Sequence, residues 1–184
     1  MQFLREFRDQ RVMGSFIGSQ FMNAFNAFYY SFSPTVAEAI STSDPARALT
    51  RSLLSPLLGS LYVGRITFDL LRALPDFGIV LAGLLSTALI GVLYTSPLIA
   101  LTAAKFEEKR KKGGWSLKPL GLVWIGSLLA VGLSYVFLYV GAMGIAEFVA
   151  MVSTGTLVLS TMILSPLLLL RAIRWVVARV RKPR

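Results

Sequence analysis

The side chains with which this chain could do acid–base chemistry are few and scattered: Arg8 and Asp9 near the start, then Glu38, Asp69, Asp76 and Glu147. There is no histidine and no cysteine, so the usual base, nucleophile and soft metal ligands are missing, and haem or an iron–sulfur cluster would lack its common anchors. Arg5, Arg8 and Asp9 are spaced to pair with one another at a helix start rather than to act as an acid and a base. Gly113-Gly114 stands in a basic loop as a hinge, outside any phosphate-cradling pattern. What remains is a set of hydroxyls at Ser86, Tyr94, Thr95, Ser127, Ser134, Tyr135, Tyr139, Ser153, Thr156, Ser160 and Thr161. Such groups can line a passage for water or neutral solutes, and more often they bond between packed helices. The expectation is therefore no catalytic residue, no cofactor-binding residue and no metal site.

The hydroxyls lie on elements that read as membrane spans. Phe77 to Ala104 contains 28 residues without a formal charge, and Pro119 to Leu170 carries Glu147 alone. At ~20 residues per crossing these runs predict three transmembrane helices, over 77–104, 120–139 and 148–170, with a turn from Gly141 to Glu147. The first run would be about 42 Å long at ~1.5 Å per residue, so it must tilt, protrude or bend, and Pro97 offers the bend. Small residues recur at four-residue spacing on each span: Gly83, Thr87 and Gly91; Gly126, Ala130 and Ser134; Ala150 and Thr154. Faces of this kind let helices approach closely. Ser55-Pro56, Ser96-Pro97 and Ser165-Pro166 each remove a helix hydrogen bond, and the serine can serve the freed carbonyl.

Residues 1–76 have a different character. Phe21, Phe25, Phe28 and Phe32 alternate with Ser19, Asn23, Asn26 and Tyr30 at helical spacing, which predicts an amphipathic helix with one aromatic face and one uncharged polar face. Ser33-Pro34 is expected to end it. From Ser43-Asp44-Pro45 a capped second helix follows, with Leu49, Leu53, Leu57, Leu58 and Leu61 along one side and a kink near Pro56. Its uncharged run, Ser52 to Gly64, is 13 residues, short of a crossing, so it is expected to lie at the membrane interface. Val12 to Phe32 could itself serve as a fourth span or a signal, but its Ser, Gln and Asn content favours a surface-lying helix.

The series Leu4-Arg5-x-Phe7-Arg8-Asp9, Gly18, Tyr29-Tyr30 and Ser33-Pro34 with Ala37 and Ile40 resembles the characteristic segment of the prokaryotic CFI-box C-terminal domain family. The resemblance covers about residues 3–40. In that family the segment follows a Cys-Phe-Ile-Ala-Thr-Ala-type box in exported, membrane-held proteins; here the box is absent, and the run from Gly18 to Tyr29 is about one helical turn longer. The resemblance implies a membrane-anchored protein of the cell envelope, without a known reaction, and a chain that starts just beyond the box.

Net charge is +10, but its distribution argues against nucleic acid. Basic residues collect in the loop 105–118 and in the tail 171–184, where Arg171, Arg174, Arg179, Arg181, Lys182 and Arg184 face no acid. Juxtamembrane clusters of this sort stay cytoplasmic and meet anionic lipid headgroups, and Trp115, Trp124 and Trp175 fall near the same boundary. The fold class expected is an all-α integral membrane protein: an extracytoplasmic amphipathic segment 1–76, a three-helix bundle 77–170 and a basic cytoplasmic tail 171–184. The function expected is a non-enzymatic membrane anchor or accessory subunit, with Phe21, Phe25, Phe28, Tyr29 and Tyr30 docking on the bundle, the membrane interface or a partner subunit. A small oligomeric channel or transporter subunit for neutral solutes is the alternative. The charge pattern predicts that a membrane-impermeant thiol reagent labels a cysteine placed at Gly144 from outside intact cells, and one at Gly113 only after permeabilisation; the reverse pattern would invert the orientation.

Overall fold

The structure, a computed structural model, describes residues 5–97, 99 and 117–180, with the backbone alone at Arg174 and Ala178. The expected loop 105–118 therefore lies almost wholly outside the described residues. All regular structure among the described residues is helical, and three helices are long and apolar enough to cross a membrane: Pro75–Thr95, Lys118–Tyr139 and Met143–Val177.

The chain opens in a π-helical turn, Phe7–Val12, and then forms α1, Phe16–Ser41. Ser15 caps α1: its hydroxyl accepts from the Gly18 amide at 3.0 Å and donates to the Val12 carbonyl at 3.1 Å, so the reversal after the π-turn leaves these groups satisfied. Helix α1 does not stop at Ser33-Pro34 but runs through it to Ser41. The proline withholds one amide from the Tyr30 carbonyl, and this part of the helix is exposed, so nothing packed against it turns the lost bond into a break. Ser43 caps α2, Asp44–Leu70, by accepting from the Ala46 amide, and Pro45 occupies the first turn. A short turn, Leu71 to Leu74, leads into α3, Pro75–Ile90, which passes into a second π-helical turn, Gly91–Thr95. The irregularity thus precedes Pro97, in the segment whose carbonyls the proline deprives of a donor.

Helix α4, Lys118–Tyr139, and helix α5, Met143–Val180, are joined by a turn that is shorter than expected. Gly141 has φ +84°. Its amide donates to the Leu138 carbonyl at 3.2 Å and the Ala142 amide to the Phe137 carbonyl at 2.9 Å, the paired bonds of a Schellman stop. Because that motif satisfies the end of α4 within two residues, α5 starts at Met143 rather than at 148, and Glu147 sits exposed within its second turn.

Helix α5 is central, touching α1, α3 and α4. Ile17 of α1, Val131 of α4 and Ala150 and Leu157 of α5 form one buried cluster, flanked by Val80, Leu84, Trp124 and Tyr135. Phe68 of α2 with Ile79 and Ala82 of α3 forms a second. Helix α2 runs antiparallel along α3: Phe68 lies at Gly78, Gly64 lies at Ala82 and Ser86, and the Tyr94 hydroxyl donates to the Leu53 carbonyl.

Two glycines allow close approach between neighbouring long helices. A Cβ on Gly64 would collide with the Ser86 hydroxyl, and one on Gly91 would collide with the Met162 carbonyl and the Ser165 hydroxyl. Ser165 itself donates across the interface to the Ala88 carbonyl at 3.1 Å, and Pro166 beside it is fully buried. The serine that was expected to serve its own helix instead ties α5 to α3. Overpacking such a contact costs about 1–3 kcal/mol, so Gly91→Ala should lower thermal stability in detergent by that much. Gly126→Ala, where an added Cβ meets nothing within 4 Å, should leave it unchanged or slightly raised. Equal effects would show that α3 and α5 are not in van der Waals contact there.

Candidate docking surface and buried polar groups

Helix α1 is held to the bundle by its first two turns. Ile17, Gly18 and Met22 are buried, and the Phe16 ring meets Tyr135 of α4 edge-on at 5.7 Å. Beyond them the helix is largely exposed, and its aromatic residues touch one another. Phe21 and Phe25 have ring centroids 6.1 Å apart, Phe25 and Tyr29 stack at 5.8 Å with planes 11° apart, and Phe28 meets Phe32 at 5.0 Å. Tyr29 also meets Tyr30 edge-on at 5.6 Å. Residues four apart on a helix stand one above the other, which is why the sequence spacing builds this ladder. Phe21 is half-buried, whereas Phe28 is 67% and Tyr30 66% exposed. The bundle therefore leaves Phe25, Phe28, Tyr29 and Tyr30 exposed and covers Phe21 in part.

The small-residue positions separate into two groups. Thr87, Gly91, Ala150, Thr154 and Ser134 are buried, Ser134 completely. Gly83 and Gly126 would each give an added Cβ open space, and Gly126 with Ala130 lines an open groove of about 300 Å³ between α4 and α5. The packed face of α4 is Ser127, Val131 and Ser134, one residue round from the expected Gly126, Ala130 and Ser134. Its spacing of four and three is also helical, and a count of small residues does not distinguish two faces that share Ser134.

Most buried hydroxyls bond to their own helix. Ser127 donates to the Val123 carbonyl, Ser134 to Val131, Thr154 to Ala150 and Ser160 to Leu157, at 2.7 to 3.1 Å. An exception reaches across: Trp124 Nε1 donates to Thr161 Oγ1 at 2.8 Å, joining α4 to α5. Back-bonded hydroxyls have their donor taken up within their own helix.

Charged groups gather at the end of the bundle where α2 meets α3. Asp69 lies 3.8 Å from Arg11, 3.5 Å from Arg65 and 3.8 Å from Arg72, and Arg11 also covers the Phe68 ring at 5.8 Å. These pairs are part-exposed, and each is worth at most about 1 kcal/mol, so they locate the π-turn rather than drive its docking; Phe7 against Phe68 adds the apolar part. Arg8 Nε donates to the Asp9 carboxylate at 2.6 Å, and that bond holds the Asp9 carboxyl below its ordinary range.

Asp76, in the first turn of α3, faces the Tyr135 hydroxyl of α4. The Asp76 Oδ1 and Tyr135 hydroxyl oxygens are both buried without a hydrogen-bond partner. This pairing was not legible in the sequence, because 59 residues separate its members. Among the described residues no three acidic groups come together as a metal site would require.

At the far end of α5, Arg171 lines an open groove of about 420 Å³ with Leu168, Ala172 and Trp175, and the Arg179 guanidinium stacks over the Trp175 ring at 4.0 Å. The expected headgroup contacts at Arg181, Lys182 and Arg184, and the Arg174 side chain, lie outside the described residues.

Comparison with protein-family models, with curated proteins and with solved structures returns no match. The Asp76–Tyr135 geometry can be tested directly. A buried hydroxyl without a partner costs about 1–3 kcal/mol, so Tyr135→Phe should leave detergent stability unchanged or improve it. A loss of stability would mean that the hydroxyl is bonded to Asp76.

Proposed function

We propose that this chain is a non-enzymatic membrane anchor or accessory subunit of a membrane protein complex in a prokaryotic cell envelope. The carrying observation is the aromatic ladder of α1, exposed from Phe25 onward while the first two turns, with Phe16, Ile17 and Met22, pack on the bundle. Contiguous apolar surface of this kind marks an interaction site, and fixed stacked rings lose little entropy when a partner covers them. The resemblance of residues 3–40 to the segment found in exported, membrane-held proteins supports the same reading. The basic tail, with Arg171 and Arg179 beside Trp175, suits anionic lipid headgroups on the cytoplasmic face.

Covering an aromatic ring is worth about 1.5–3 kcal/mol. Replacing Phe25 and Phe28 by Ser should therefore weaken association by at least about a hundredfold. Purified in mild detergent, the parent should elute with a stoichiometric companion, another subunit or a second copy, and the double variant should elute alone with its three spans still inserted. Retention of the companion by the variant would remove the ladder as the docking surface. Reconstituted alone in vesicles, the chain should not accelerate neutral-solute uptake; acceleration would favour the channel or transporter alternative.

A further inference from the structure

The register of α2 against α3 bears on where the N-terminal segment lies. Three contacts pin it: Leu53 with Tyr94, Gly64 with Ala82 and Ser86, and Phe68 with Gly78. They cover nearly the whole of Pro75–Thr95, a helix long and apolar enough to cross a membrane. Helix α2 thus lies beside that span along its whole length, and its first turns, before Leu53, continue past the level of Thr95. Helix α1 is pinned at both ends as well. Its start lies at the Phe68 end of α2, through Phe7 on Phe68 and Arg11 on Asp69. Its finish is at the other end of α2, because Thr42 and Ser43 alone separate Ser41 from Asp44. The hairpin therefore stands alongside α3, with its tip beyond the level of Thr95.

We infer that α1 and α2 form a membrane-crossing hairpin, so that the chain crosses the bilayer five times and lipid hydrocarbon covers the exposed faces of both helices. The uncharged part of α1, from Phe16 to Ala37, is 22 residues, about 33 Å at ~1.5 Å per residue, enough for a crossing. Of its polar side chains, which argue for a surface helix when taken as composition, three donate locally. Ser19 donates to the Phe16 carbonyl, Ser31 to that of Phe28, and Asn23 to Gln20 Oε1. Local bonds lower the cost of taking these groups into hydrocarbon. On α2 the charged residues flank the 13-residue uncharged run from Ser52 to Gly64: Arg47, paired with Asp44, and Arg51 lie on the tip side, and Arg65, beside the middle of α3, is neutralised by Asp69 one turn on. The run is shorter than a crossing by itself, and the long arginine stems carry the charges toward the two interfaces. Between them the outward residues include Leu53, Tyr62, Val63 and Ile66.

Five crossings keep the N-terminus on the side of the α4–α5 turn and the end of α5 on the opposite side, so the charge-based orientation is retained and the placement of Thr42 is reversed. The inference goes beyond the accessory-subunit reading and does not need it; a partner reaching the aromatic ladder would displace lipid rather than water, and the Phe25 and Phe28 double variant would then weaken association less than about a hundredfold, through lost packing alone.

The chain has no cysteine, so single cysteines report position directly. With an impermeant maleimide on sealed membranes, Leu70→Cys and Gly144→Cys should label from one side, and Thr42→Cys only from the other. Any pattern in which Thr42 shares the side of Gly144 overturns the crossing and restores a hairpin lying on one surface. If loss of the Thr42 side chain disturbs the turn, Ala39→Cys, also exposed, gives the same readout. Loss of the docking reading would appear separately, as retained companions in the Phe25 and Phe28 double variant with this labelling pattern unchanged.

Discussion

The close approach of α3 to α5 is the contact on which the remaining arrangement depends. Gly91 leaves room for the Met162 carbonyl, Pro166 is buried beside it, and Ser165 bonds across to Ala88. In a membrane, helices gain little from hydrophobicity alone, since lipid is as apolar as leucine. Backbone proximity and a few hydrogen bonds must carry association. With α3 fixed on α5, Val80 and Leu84 face the cluster that Ile17, Val131, Ala150 and Leu157 complete, and α2 can lie along the other side of α3 through Gly64.

The prolines fit the same constraint. Each removes a backbone donor, and a carbonyl without a donor is costly where water is absent. Near Pro97 the backbone shifts into a π-helical turn, with Thr95 donating to the Gly91 carbonyl at 2.6 Å. At Pro34 the helix simply continues. Identical residue types therefore have different consequences, according to what packs around them.

Among the described residues much of the polar inventory is spent on structure. Hydroxyls close onto carbonyls of their own helices, Trp124 ties α4 to α5, and Asp69 gathers three arginines at one end of the bundle. Buried oxygens without a partner remain at Asp76 and Tyr135, where α3 meets α4, and at Ser96. What the chain presents outward is apolar and aromatic, a surface suited to lipid and to other membrane helices.

The three long apolar helices were determined by the sequence alone, since span length follows from bilayer thickness and runs without charge. So were the caps at Ser43 and the aromatic ladder of α1, because both depend on neighbours within a few residues. Other features were decided by tertiary structure. The α4 packing face turned on which of two small-residue stripes met α5; Ser127 and Val131 did so, whereas Gly126 was left at an open groove. Pro34 reads locally as a stop, yet the helix passes through it because no packed neighbour exploits the lost bond. Asp76 and Tyr135, or Trp124 and Thr161, come together only once separate helices are docked. Placement of α1 and α2 beside α3 likewise rests on contacts such as Leu53 with Tyr94, more than forty residues apart. Local patterns fix what each helix is, while long-range packing chooses which side of it is covered, and that choice is a competition among faces that a single helix cannot settle.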